Sequence, residues 1–269
     1  MSYAFPPGGL PDQTVDPEGT AIFTDAYAVI PAITQRDITT SFLPGWKDMR
    51  MWVLARPLSG FAETFSQYAV ELAPGGGSDA PEVDPEAQSV ILLASGALTL
   101  NIDGTAHRLE PGGYAYIPPD TVWTLWNDGD AAAQFHWIRK RYVEAEGVDL
   151  PEPLVSSDRA VDPIPMPDCD GVWATTRFVD PTDLRHDMHV NIVTFQPGGR
   201  IPFAETHVME HGLYVLQGTA RYLLNKDWVE VGPGDFMWLR AFCPQACIAT
   251  GDTPFRYLLY KDVNRHMPL

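Results

Sequence analysis

Apolar and polar positions along this chain alternate over short runs, and turn residues cut the runs apart. SVILLASGALTLNI (89–102), YAYIP (114–118) and FHWIRKRY (135–142) come first; HVNIVTFQ (189–196), GLYVLQGTARYLL (212–224), FMWL (236–239) and RYLLYKDV (256–263) follow. PGGG, DGT, EPGG, QPGG and VGPGD punctuate them. Period-two runs bounded by such turns predict strands of an all-β sandwich or barrel, and helical periodicity is scarce. From about 144 to 170 the chain carries five prolines (Pro151, Pro153, Pro163, Pro165 and Pro167) and reads as an extended linker. The expected division is therefore 1–145, an amino-terminal segment and a β-barrel; 146–170, the linker; and 171–269, a second barrel.

The halves on either side of the linker align. GALTLNIDGTAHRLEPGGYAYIP resembles GTARYLLNKDWVEVGPGDFMWL, and Gly96 stands 122 positions before Gly218, as Gly112 does before Gly234. A shared offset without a gap implies duplication of one β-unit.

Composition removes several function classes. The 45% hydrophobic content of these 269 residues supports a proper core, and no run approaches the length of a membrane span. The opening MSYAFPPGGLPDQ has no basic region followed by an apolar one, so no secretory signal is expected. Three cysteines (Cys169, Cys243 and Cys247) cannot all pair within one chain, which points to a reducing cytoplasm. A formal charge of −17, from 35 acidic and 18 basic residues, repels nucleic acid and anionic lipid. The expected partner is a small molecule, with no nucleic acid and no membrane.

Candidate chemistry concentrates in ETHVMEH, residues 205–211, which holds two of the seven histidines. His207-Val-Met-Glu210-His211 fits H-x-x-E-H, a zinc-peptidase pattern that needs both histidines on one helix. Gly212 follows at once, and Pro197, Gly198, Gly199 and Pro202 precede it, so no helix has room to form. A strand reading fits instead. Gly199, Glu205, His207, His211 and Gly218, then Gly234 and Gln245, follow the two-motif spacing of the cupin barrel, with Arg240 in the usual proline slot. The chain thus resembles a bicupin: all-β, two tandem jelly-roll-like barrels joined by a Pro-rich linker. That resemblance makes Glu205, His207, His211 and Gln245 the ligands of one metal ion in the carboxy-terminal barrel. One carboxylate, one amide oxygen and two imidazoles without thiolate favour manganese or iron over zinc. Cys243 and Cys247 flank Gln245 and read as buried free thiols. In the first barrel the same frame places Val83, Pro85, Ser89 and Trp123 in the slots, so that barrel should be metal-free, with Val83 and Trp123 buried. His107 and His136 fall outside its slots.

The ligand order, together with PFAETHVMEHGLYVLQG, FCPQ and YLLYKDVNR, closely resembles the (S)-ureidoglycine aminohydrolases of purine (allantoin) catabolism. These are manganese bicupins with an empty amino-terminal barrel. The resemblance implies hydrolysis of (S)-ureidoglycine to (S)-ureidoglycolate and ammonia, one Mn2+ per chain and a homo-oligomer. It also implies substrate contacts from Glu205, Gln245, Tyr257, Lys261 and the pocket tyrosine Tyr222, with Glu205, Tyr257 and Lys261 at the chemistry. Lys261 suits the substrate carboxylate, and Gln245 and the tyrosines suit its neutral groups. Two other readings are a metal-dependent bicupin oxygenase and a non-catalytic small-molecule-binding bicupin.

Overall fold

The computed structural model describes residues 21–36 and 39–263. The opening stretch read for a secretory signal, and Asn264 and Arg265 of the closing motif, lie outside the described residues. Two short strands, β1 (Ile22–Phe23) and β2 (Tyr27–Ile30), come first. Then follow β3 (Lys47–Ala55), β4 (Ser66–Ser78), β5 (Ala87–Ser95), β6 (Leu98–Ile102) and β7 (Thr105–Leu109). Next are β8 (Gly113–Ile117), β9 (Trp123–Trp126), β10 (Ala133–Arg141), β11 (Leu154–Ser157) and β12 (Ile164–Pro165). After them come β13 (Trp173–Arg177), β14 (Met188–Phe195), β15 (His211–Gln217) and β16 (Ala220–Leu224). The chain closes with β17 (Asp227–Val231), β18 (Phe236–Leu239), β19 (Gln245–Ala249) and β20 (Phe255–Asp262). The described residues contain no α-helix; single 3-10 turns lie at Ala32–Thr34 and Pro57–Ser59. The helical reading of HVMEH falls with that.

Two compact all-β units result. In the first, the strands run β11-β8-β5-β10-β4-β9-β6-β7, with β3 also on β4. In the second, a sheet ordered β1-β2-β18-β15-β20-β14-β13-β12 accompanies a three-stranded β17-β16-β19 sheet. Each unit closes over its own core because alternate residues of its strands point inward. Leu98, Leu100, Ile102, Leu125 and Trp137 fill the first, and Leu213, Val215, Tyr222, Leu224 and Phe255 fill the second.

The repeat survives at atomic detail. β6 and β7 lie 122 positions before β16 and β17. Gly96 and Gly218 adopt φ of +78° and +72°. A Cβ on either would sit 2.6 or 2.5 Å from the carbonyl oxygen of Ala132 or Pro254, themselves matched positions. Only glycine fits there, in both copies.

Three sequence expectations need correcting. Strands β1 and β2 were expected with the first barrel, but β2 pairs with β18 of the second, and Tyr27 and Val29 enter that core. Pro57–Thr64 belongs to the second unit as well. Two- and four-residue strands carry no pattern that names their partner sheet. The proline-rich stretch is not a plain linker either: β11 pairs with β8 and β12 with β13. Both are outermost in their sheets, where proline costs no ladder bond.

The third correction concerns the slots of the first barrel. Val83 is 84% exposed, and Pro85 is exposed too. Ser78 pairs with Leu125 as Ile201 bridges toward Cys247, an offset of 123, whereas Pro85 and His207 accept from the amides of Asp120 and Phe242 at an offset of 122. The first barrel therefore has one extra residue between Ser78 and Pro85. A one-residue slip in extended chain exchanges inward and outward faces. Glu82 accordingly turns in and pairs with Arg139, and Asp84 pairs with Arg141. Ser89 accepts a hydrogen bond from Trp137 Nε1 at 3.0 Å.

Trp123 does fill the interior, 4% exposed and edge-on to Trp137 with ring centroids 6.1 Å apart. Trp123→Ala is expected to destabilise the protein by roughly 3–5 kcal/mol through the cavity it leaves. A lowered denaturation midpoint, with ion content of the folded fraction unchanged, is the predicted reading. Unchanged stability would mean the site repacks.

Candidate active site

Strand alternation aims a set of side chains into one end of the second barrel. On β20 the inward residues are Phe255, Tyr257 and Leu259, and Lys261 continues their parity. On β14, Val193 and Phe195 face the core, so Asn191 and His189 face the same way. Register then lines them up: His189 lies opposite Lys261, and Lys261 opposite His211. One row deeper, Arg177 lies opposite Asn191, and Asn191 opposite Leu259.

Glu205, His207, His211 and Gln245 come to the same place. Glu205 sits in an isolated bridge with Gln245, each amide donating to the other's carbonyl at 2.9 Å. The His207 carbonyl accepts from the Phe242 amide at 2.6 Å, His211 opens β15 and Gln245 opens β19. The first two residues thus lie on a tethered extended segment rather than in a regular strand. Glu205 Oε1 is 3.3 Å from His207 Nε2, and the His207 and His211 rings are 5.2 Å apart. Tyr222 donates to Gln245 Oε1 at 3.0 Å, which fixes the amide while leaving that oxygen a second lone pair.

A cavity of about 130 Å³ is lined by Glu205, His207, His211, Gln245, Tyr257 and Lys261. That is well under the roughly 300–1,000 Å³ of sites for drug-sized molecules, so its occupant is small. Of the residues singled out in sequence, only Tyr222 stands behind the wall, completely buried with its ring 6.1 Å from that of Tyr257. A larger hollow of about 600 Å³, lined by Glu63, Glu210, Trp238, Arg240 and Asp262, shares no residue with the smaller one. It holds none of the candidate ligands.

Burial dominates the electrostatics. His211, 4% exposed, is pushed down to about 3 by desolvation, then by His207 and Lys261, so its imidazole is neutral and keeps a free lone pair. Desolvation holds the Tyr222 and Tyr257 phenols well above the usual tyrosine range, as protonated donors. Burial, and then the Arg177 charge, pull the Lys261 ammonium below the usual lysine range. Cys247 lies wholly inside the core, Cys243 is buried, and both thiols are free.

Glu210 does something other than its place in the motif suggests. It precedes His211, so it faces away from the barrel interior. There its carboxylate accepts from the amides of Glu63 (2.6 Å) and Thr64 (2.9 Å), the Thr64 hydroxyl (2.6 Å) and Trp238 Nε1 (2.6 Å). It anchors the Pro57–Thr64 segment against the second unit.

Sequence reasoning missed Arg177, Asn191 and His189. Asn191 is 3% exposed and its Oδ1 finds no hydrogen-bond partner among the described residues; His189 Nε2, at 5%, is in the same position. Their parity with Val193 and Phe195 in HVNIVTF was the available signal.

The cupin domain model matches residues 68–139 and 191–260, one in each unit. An (S)-ureidoglycine aminohydrolase of Arabidopsis thaliana is 33% identical over 235 residues, covering 87% of this chain and 76% of that protein. The chain belongs to the (S)-ureidoglycine aminohydrolase family. The aminohydrolase of Escherichia coli K12 is 29% identical over 238 residues, 88% of this chain and 89% of that one. Among solved structures, one described as a glyoxylate-induced protein from Pseudomonas aeruginosa is 62% identical. It superposes with a TM-score of 0.90 over 98% of this chain and 97% of its own. In this member of the aminohydrolase family, Glu205, His207, His211 and Gln245 surround the pocket. Among its described residues, no three His, Cys, Asp or Glu side chains are gathered tightly enough to hold an ion as they stand.

Proposed function

We propose that this chain hydrolyses (S)-ureidoglycine to (S)-ureidoglycolate and ammonia within purine catabolism, using one divalent ion, manganese by preference, held by Glu205, His207, His211 and Gln245. The observation carrying this reading is that all four residues line one small pocket with Lys261 and Tyr257 in a chain of this family. The donor set fits the ion: a neutral buried imidazole, a second imidazole beside a carboxylate, and an amide oxygen oriented by Tyr222. Once bound, the ion supplies Lewis-acid stabilisation of charge on the substrate.

The chain's own residues do the rest. Hydrolysis breaks the bond from the α-carbon to its amine, forms one to a water oxygen, and releases the amine as ammonia. Lys261 pairs with the substrate carboxylate, and Tyr257 donates a hydrogen bond from its protonated phenol. Glu205 accepts from the departing amine. Wall residues Trp173, Val193 and Leu259 keep bulk water out, which strengthens each of these contacts.

The ion belongs to the second barrel alone in this reading, because Glu82 and Asp84 of the first are taken up by Arg139 and Arg141. A cytoplasmic homo-oligomer is part of the same proposal. Support comes from three free thiols and from Phe203 and Phe242, each at least 60% exposed, which a second copy would cover. No helix among the described residues is long and apolar enough to cross a membrane.

Ammonia release from freshly generated ureidoglycine tests the activity. The manganese-loaded chain should exceed the spontaneous rate and yield a single ureidoglycolate enantiomer. A racemic product formed at the spontaneous rate would refute it.

A further inference from the structure

The pocket contains a polar edge that this chemistry has not used. Arg177 on β13 and Asn191 on β14 are directly opposed in register, and both line the cavity. They lie one row deeper than Lys261 and His211. No ion pair to Arg177 or Lys261 occurs among the described residues, so two cations face one pocket without a carboxylate committed to either. Asn191 Oδ1 is buried without a hydrogen-bond partner. A buried amide oxygen left unpaired costs about 1–3 kcal/mol unless a ligand satisfies it. The wall thus offers a planar fork of donors beside an orphaned acceptor.

We propose that Arg177 and Asn191 form the subsite that reads the ureido group: the Arg177 guanidinium donates to the ureido carbonyl oxygen, and Asn191 Oδ1 accepts from the terminal NH2. This inference rests on the reading of the site as a ureidoglycine pocket. The match is one of type. A carboxylate would satisfy Arg177 but leave Asn191 Oδ1 facing oxygen lone pairs, whereas a ureido group carries an acceptor and a donor side by side. Lys261, next to His211, is left for the carboxylate. The two cations therefore have different ligands, and together they fix which way round the substrate lies. A site built to hydrogen-bond an N–H rejects analogues that lack it, because its own groups are then left unpaired.

The test is binding of two ligands to the manganese-loaded protein by calorimetry. Ureidoglycolate carries carboxylate, hydroxyl and ureido group; glycolate keeps the first two and lacks the third. Asn191→Leu and Arg177→Met should each weaken ureidoglycolate by about 10- to 100-fold and leave glycolate unchanged. Lys261→Met should weaken both. Asn191→Asp, which keeps an acceptor in place, should retain more ureidoglycolate binding than Asn191→Leu. Arg177 is half-buried, so its variants carry the test even where Asn191→Leu fails to fold. Equal weakening of both ligands by Arg177→Met, or of neither, would overturn the subsite. Wild-type protein that binds no ureidoglycolate would overturn the reading beneath it.

Discussion

His211→Ala is expected to remove most of the bound ion and nearly all activity. The imidazole is 4% exposed, kept neutral by burial and placed at the first position of β15, so no neighbouring group can replace it. Losing the Lewis acid removes several kcal/mol of transition-state stabilisation, about 1,000-fold or more in rate. Elemental analysis and ammonia release should fall together. Ser89→Ala, the matched position in the first barrel, should change neither, since Ser89 there accepts from Trp137. Full ion content in His211→Ala would remove it from the ligand set.

Lys261→Met should separate substrate binding from ion binding. Methionine keeps much of the bulk and strips the charge, so a desolvated substrate carboxylate loses its partner. Truncating one side of a buried charge pair costs about 2–5 kcal/mol, or roughly 30- to several-thousand-fold in kcat/KM. Ion content should stay at the wild-type level, because Lys261 lies beside His211 in register but supplies no ligand atom. Full activity in this variant would remove the anchoring role and leave the ion site standing.

What was legible in sequence follows from where the signals sit. Glu205, His207, His211 and Gln245 are framed by Gly199, Gly218 and Gly234, positions that a turn geometry requires, so the resemblance to the cupin pattern was enough to group them. Tyr257 and Lys261 share the parity of a single strand, and β20 does turn both inward. Arg177 and Asn191 were harder. They lie on strands upstream of the motif, and only the sheet register sets them against Leu259 and the pocket. Val83 failed for a different reason. The 122-residue offset holds through the strands after Pro85 but gains one residue between Ser78 and Pro85, and a single inserted residue reverses the faces. Glu210 shows the limit of composition within a motif. It is a carboxylate between two candidate ligands, yet the neighbouring position on a strand points the other way, and its oxygens serve Glu63, Thr64 and Trp238. The pairing of β2 with β18 left no trace in pattern at all, since four residues alternate with any sheet equally well.

The most direct measurement is a manganese titration of the metal-stripped chain while ammonia release from fresh ureidoglycine is followed. Activity should be at the spontaneous rate without the ion, rise linearly and level off at about one equivalent per chain, the capacity of a single ligand set. Activity above the spontaneous rate with no ion present, or a plateau only at about two equivalents per chain, would contradict a single working site in the second barrel.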